Sequence, residues 1–276
     1  QDSRTEEYVP KVDKNPFYKT TDILNGVFKK RIKLEQGDLN KTDGNTIWVN
    51  FNEVRVQPIA RVELPRDGKY HYTLECGHPW SSKNSYPAGK NIPCWPCGNA
   101  QAYLGLEHEW GHIIFKTNIS AKRMFVDQLS ASLVAQAPHV PEDDLKDFLH
   151  LFVNAFDDIR VNSLQEKVYP GSAEKIWTRW RRLLSEREGG YDDNFLAFAL
   201  AIGVGLEVAD DGPFAALKPI VEWGMAKARY RGFKTMLLDV RIVLDRCIGA
   251  VLAQVQPPPP PQQLPPPQPV PEPPED

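Results

Sequence analysis

An α+β fold, with a small N-terminal β-sheet and a helical C-terminal body, is what the order of hydrophobic periodicities predicts. Between Thr46 and Glu75 the apolar residues alternate with period two, and beyond Asn99 they recur with the 3.6-residue period of amphipathic helices. About half of the 25 prolines lie after Val255, so the folded unit ends near there. Composition agrees: 41% hydrophobic and 25% charged residues over 276 positions suit a chain that buries its own core. With 33 Lys and Arg against 36 Asp and Glu, the net charge of −3 offers no global basic field for nucleic acid or membrane surfaces. The longest strongly apolar run, Phe195 to Val208, is about fourteen residues. That is short of the roughly 18–20 of a membrane span and reads as a buried helix, with no membrane association expected.

Residues 1–45 form an N-terminal segment. It opens Gln1-Asp2-Ser3-Arg4 without a charged-then-apolar leader, as a fragment or processed product would. Residues 46–98 read as β-hairpins with an inserted zinc-ribbon-like knuckle. Ile47, Val49 and Phe51 alternate with polar residues, Val54 and Val56 resume the pattern, and Arg66-Asp67-Gly68-Lys69 is a turn joining strands at Arg61–Pro65 and Tyr70–Glu75. Residues 99–255 form the helical body. Asn99 is placed to cap a helix to about Thr117, Ser120 one that ends before Pro138, and Pro141-Glu142-Asp143-Asp144 opens a third to about Val168. Further helices are expected near 172–188, 193–209, 213–229 and 233–255. Residues 256–276 are proline-rich and read as an extended tail or linker.

Three of the 4 cysteines crowd into one short stretch, as Cys76-Gly77-His78 and Cys94-Trp95-Pro96-Cys97. A C-x-H…C-x-x-C set can close four ligands around one structural zinc, which also argues for a reducing, cytoplasmic compartment. The alternative is unpaired buried thiols. His71 and His139 read as ordinary histidines. Lys69, Lys83, Lys90 and Arg66 lie near Trp80, Tyr86 and Trp95, a combination that can stack single-stranded bases. The moderate charge makes nucleic acid the lesser expectation, and Arg179-Trp180-Arg181-Arg182 reads as a solvated face.

His108-Glu109-Trp110-Gly111-His112 carries the strongest chemical signal. Histidines four apart on a helix stand one above the other, so both imidazoles can reach one zinc ion, and the intervening glutamate sits beside the open side of that site. Zinc with three protein ligands acidifies a water, and Glu109 would serve as general base and then acid in peptide hydrolysis. The bland reading is a chance spacing on an ordinary helix. Gly111 inside a helix costs about 1 kcal/mol relative to alanine, which a close approach beside the metal would explain. Extended forms of the motif that supply a third ligand downstream find Phe115, Asn118 and Ala155 at their positions. The better source is Asn154-Ala155-Phe156-Asp157-Asp158-Ile159-Arg160. There His150, Asn154, Asp157 and Asp158 share one polar face opposite Phe148, Phe152, Phe156 and Ile159, although a solvated face would look the same.

The succession of HEWGH, Asn154 to Val161 and Tyr169-Pro170-Gly171 resembles the zincin-like metallopeptidase region of phage and bacterial proteins that carry a von Willebrand factor A domain. It also resembles the region preceding that domain in cobaltochelatase T-subunit-like proteins. The resemblance covers roughly residues 99–185 and implies a zincin-like fold with a catalytic zinc, beside the structural zinc expected from the cysteine spacing. His108, Glu109 and His112 match its helix motif. Asp157 stands where the family has glutamate, one methylene shorter, and Asp158 and Arg160 match the following aspartate and arginine. The resemblance thus favours Asp157 as third ligand, with Asp158, Asn154 or Arg160 behind it or Asp158 in its stead. It implies a protein or peptide substrate and a von Willebrand factor A-type or other protein partner. SprT-like proteases also join a zincin to a zinc ribbon, but with the ribbon after the catalytic helices. The expected activity is a zinc metallopeptidase; the alternatives are a catalytically silent assembly module and a nucleic-acid-associated protease. Tyr169 and Arg160 are the candidates for stabilising an oxyanion.

Overall fold

A computed structural model describes residues 15–51, 55–64, 68–83, 89–187 and 190–255. The proline-rich tail from Gln256, the turn residues Arg66 and Asp67, and Tyr86 lie outside the described residues. The chain is a mixed α+β protein whose strands precede most of its helices.

The first unit contains helix α1 (Asn15–Phe28) and strands β1 (Lys33–Gln36), β2 (Lys41–Thr42) and β3 (Thr46–Val49). The strands form a sheet in the order β1-β3-β2, with β1 parallel and β2 antiparallel to β3. Residues 1–45 therefore hold a helix and two strands that alternation alone leaves unassigned. β1 buries only Leu34 and β2 is two residues long, so neither shows a period. In β3 the alternation works as expected. Ile47 and Val49 are fully buried and join Phe17, Phe51, Ala102, Leu106 and Trp110 in one apolar cluster.

The second unit holds β4 (Arg55–Val56), β5 (Pro58–Leu64), β6 (Lys69–Leu74), β7 (Pro79–Ser82) and β8 (Ile92–Pro93). β5, β6 and β7 make an antiparallel meander, and β4 pairs with β8. The β6–β7 turn is closed by the Gly77 amide on the Leu74 carbonyl at 2.8 Å, with Gly77 at φ +80°, a conformation that glycine adopts without a Cβ penalty. That turn presents Cys76 and His78.

Helix α2 (Trp95–Ile114) begins four residues before the Asn99 cap that the sequence suggests. Its N-cap is Cys94, and Pro96 occupies the first turn, where a missing N–H costs nothing. The cap of α3 (Ile119–Val134) is Asn118 rather than Ser120, its side chain accepting from the Ala121 amide at 2.9 Å. α4 (Glu142–Val168) opens on Glu142, Asp143 and Asp144, and it is the longest helix described and the axis of the body. α5 (Pro170–Ser185), α6 (Phe195–Val204), α7 (Lys218–Ala228) and α8 (Phe233–Val255) complete it. α4 packs against α2, α3, α5, α6, α7 and α8, burying Phe152, Phe156 and Ile159 among Phe195, Phe198, Val221, Val240 and Val243. No helix among the described residues is long and apolar enough to cross a membrane.

Candidate metal centres and their cleft

α2 carries His108 and His112 four residues apart, and α4 crosses it so that Asp158 faces both. The two Nε2 atoms are 3.2 Å apart, and Asp158 Oδ1 lies 3.4 Å from that of His108 and 3.1 Å from that of His112. The outer ring nitrogens are occupied. His108 Nδ1 is 2.9 Å from Asn162 Oδ1, and His112 Nδ1 is 3.1 Å from Asp157 Oδ2. With the Nδ1 protons donated outward, both Nε2 lone pairs and a carboxylate oxygen converge on one point. Three lone pairs at such range repel unless a proton or a metal cation lies between them, and the edge of a tetrahedron around a metal held at about 2.0 Å is about 3.3 Å. Without a metal, a proton takes that place. Burial opposes the charged form of His112, yet Asp157 and Asp158 outweigh it and raise its pKa to about 10. Burial likewise opposes the Asp158 carboxylate, but the two imidazoles hold its pKa far below the ordinary value.

Asp157, favoured as third ligand by the sequence, faces elsewhere. It is fully buried, and its Oδ1 accepts from Arg160 Nε at 2.8 Å and pairs with Nη2 at 2.7 Å. Its Oδ2 accepts from Thr117 Oγ1 at 2.8 Å and meets the back of His112. Neighbours on a helix point about 100° apart, so once α4 buries Phe152, Phe156 and Ile159 only one of the two aspartates can face the histidines. The one that does is Asp158. Asp157 instead orients His112, and Arg160 orients Asp157 while also binding the Phe115 carbonyl at 2.9 Å. The polar stripe of α4 is accordingly not a solvated face. Arg160 is thus committed and Tyr169 does not line the cleft, so neither candidate for oxyanion stabilisation is placed for it.

Glu109 is 6% exposed and lines a cleft of about 400 Å³ that opens over the cluster. Among the described residues no hydrogen bond or ion pair engages its carboxylate, and burial pushes its pKa up. Lys122 lines the same cleft, with Nζ donating to Asn154 Oδ1 at 2.6 Å. Asn154 thus stands on the cleft wall rather than behind a ligand. Arg179 and Trp180 also line it, and Arg181 donates to the Val204 carbonyl at 2.8 Å. Of the basic run expected to be a solvated face, Arg182, paired with Glu186, fits that description.

Gly111 explains how α2 comes so close to α4: a Cβ there would lie 2.6 Å from Val161 Cγ1 and 3.0 Å from Gln165 Oε1. Gln165 Nε2 in turn donates to the Glu107 carbonyl at 2.8 Å, fastening the two helices. Asn162, Thr117, Lys122 and Gln165 escape sequence reasoning. Asn162 alone left a signal, one turn beyond Asp158 on the same helix.

Cys76, His78, Cys94 and Cys97 form a second cluster of convergent ligand atoms. His78 Nδ1 lies 3.3 Å from Cys76 Sγ and 3.5 Å from the other two sulfurs, and Cys76 Sγ is 3.6 Å from Cys94 Sγ. Sulfurs bound at about 2.3 Å to one tetrahedral ion would be about 3.8 Å apart. Burial and the neighbouring thiols push Cys97 up to about 12. Against burial, hydrogen bonds from the backbone and side chain of His78 lower Cys76 to about 7. One thiolate thus forms readily and the others need a cation. Each of the four residues offers one ligand atom, so a tetrahedral ion held by all of them would have no open position. His71, His139 and His150 belong to neither cluster, and Cys247 is buried alone in α8.

Compared with known proteins, the chain matches no family model, no curated protein and no solved structure.

Proposed function

We propose that the protein is a zinc-dependent peptide-bond hydrolase of zincin type, with zinc on His108, His112 and Asp158 and a structural zinc on Cys76, His78, Cys94 and Cys97. The observation that carries this reading is Glu109. A buried carboxylate with no structural partner, beside a three-ligand cluster and open to a cleft, is costly to fold around and serves no packing need. Bound zinc would supply Lewis acidity to a water or carbonyl oxygen. The chain supplies the rest. Glu109, its proton affinity raised by burial, takes a proton from water in the cleft and returns it to the leaving amine. Lys122, steadied by Asn154, offers positive charge where the carbonyl oxygen turns anionic. Asp157 keeps the proton on the outer nitrogen of His112, so the inner nitrogen stays a ligand. The resemblance carried by HEWGH and Asn154 to Val161 supports a von Willebrand factor A-type or other protein partner.

The test compares cleavage of a peptide library, and of the protein itself, by wild type and Glu109→Gln. Removing a general base should cost roughly 10²–10⁴-fold in rate. Equal activity in both, or none in either, would move the site to a structural role in assembly.

A further inference from the structure

The walls of the cleft carry more charge than hydrolysis requires. Arg179 on α5, Lys41 on the edge strand β2 and Lys122 on α3 all line it, while the acids there, Glu109 and Asp158, belong to the ligand cluster and its base. Among the described residues none of the three cations is in an ion pair. Lys122 is held by Asn154, Lys41 lies over the Trp48 ring at 5.4 Å, and Arg179 reaches the Gln101 carbonyl at 3.4 Å. Beside Arg179, Ile176, Trp180 and Leu183 continue the same face of α5 into the cleft, and Leu183 is 52% exposed. A chain whose net charge is −3 has thus gathered unpaired cations and an apolar helix face around one opening.

Resting on the hydrolase reading above, we propose that this cleft selects peptide segments in which an acidic side chain lies beside a bulky apolar one, the acid read by Arg179 and Lys41 and the apolar group by Ile176, Trp180 and Leu183. Arg179 is half-buried, and burial alone lowers its pKa, so a carboxylate would meet a partly desolvated guanidinium and bind more strongly than on an open surface. The continuous apolar face suits a side chain better than a phosphate backbone, and this favours a peptide over a nucleic acid.

The experiment uses fluorogenic peptides that match except for Glu or Gln at each position flanking a central Leu, with wild type, Arg179→Gln, Arg179→Glu and Lys41→Glu. Glu peptides should be cleaved with kcat/KM roughly tenfold above their Gln partners, through KM. Arg179→Gln should remove most of the preference, Lys41→Glu should weaken it, and Arg179→Glu should shift it toward Lys peptides. The same peptides are titrated against Glu109→Gln by fluorescence anisotropy, so that binding is read without turnover. If wild type cleaves nothing, the hydrolase reading fails, and the anisotropy preference still decides the charge reading. Equal binding and cleavage of Glu and Gln peptides overturns the proposal. So does a single-stranded oligonucleotide that binds more tightly than every Glu peptide and is released by Arg179→Gln.

Discussion

Glu109 and Asp157 are both buried carboxylates on neighbouring helices, but their surroundings give them opposite tasks. Burial raises the pKa of Glu109 above its ordinary 4.5, and no donor compensates. A carboxylate whose folded value is raised contributes stability that is present below about pH 4.5 and lost as pH rises through the folded value. Glu109→Gln, neutral throughout, should therefore melt higher than wild type at pH 8 and level with it at pH 4. Differential scanning fluorimetry of metal-free protein checks this, because a bound cation would favour the charge. A variant that gains stability while losing activity marks a residue kept for chemistry; no gain at pH 8 would refute the burial argument. Asp157 holds Arg160, Thr117 and His112 together. Asp157→Ala leaves a buried guanidinium unpaired and should cost about 3–5 kcal/mol in urea denaturation. Asp158, at the edge of the cleft, should behave otherwise: Asp158→Ala should lose the metal bound by the histidines and, in metal-free protein, cost less stability than Asp157→Ala, whose partner is a buried guanidinium. The reverse pattern would restore Asp157 as the ligand.

Helices α2 and α4 meet where Gly111 leaves room for Val161. Alanine gains about 1 kcal/mol over glycine in a helix, but here its Cβ would lie 2.6 Å from Val161 Cγ1. Overpacking of this kind costs about 1–3 kcal/mol. Gly111→Ala should accordingly destabilise the protein and weaken metal retention at His108 and His112, and Val161→Ala in the same chain should restore both. Failure of that rescue in denaturation midpoints would show that the glycine serves another purpose. The same helix pair shows what the sequence could disclose. Histidines at i and i+4 reveal their shared face because helical spacing alone decides it, and the polar stripe of α4 from His150 to Asp158 is visible for that reason. Which aspartate faces the histidines is not, because the rotation of α4 is set by distant packing of Phe156 and Ile159 on α6, α7 and α8. Lys122, Thr117 and Arg179 reach the site through tertiary crossings that leave no local pattern. The first turn of α2 leaves no capping signal, because Cys94 caps the helix without a side-chain hydrogen bond, its sulfur belonging to the cluster. β1 escapes because it buries only Leu34, and β2 because two residues cannot show a period.

The described residues form three apolar clusters of very unequal size, and that inequality decides what each metal would hold up. The helical body is built on α4 with a large continuous core, and α2 is seated on the first sheet through Ala102, Leu106 and Trp110. Among the described residues the apolar cluster of the knuckle between β4 and β8 is small, Tyr72, Leu74, Ile92 and Cys94 with Val56, Tyr70, Trp80 and Cys97 partly buried against it, and Cys94 also belongs to the cysteine cluster. A cluster this small contributes little against the entropy of ordering the meander, at about 1–2 kcal/mol per residue, so an ion bound by the four residues would supply much of the knuckle's order, as in small zinc-held domains. Stripping metal with a chelator should therefore abolish amide hydrogen-exchange protection in residues 55–64, 68–83 and 90–97 while α4, α6 and α8 stay protected. Within α2 the loss should stop near Ala102, where its seat on the sheet begins. Metal content should fall from about two equivalents to about one in Cys76→Ser, and also to about one in the His108→Ala, His112→Ala double variant. Protection of the meander should disappear in the first variant and persist in the second. A meander still protected after complete removal of metal would mean that contacts outside this small cluster hold it. One equivalent in wild type, unchanged by the histidine substitutions, would remove the metal from the helix site and with it the basis for hydrolysis.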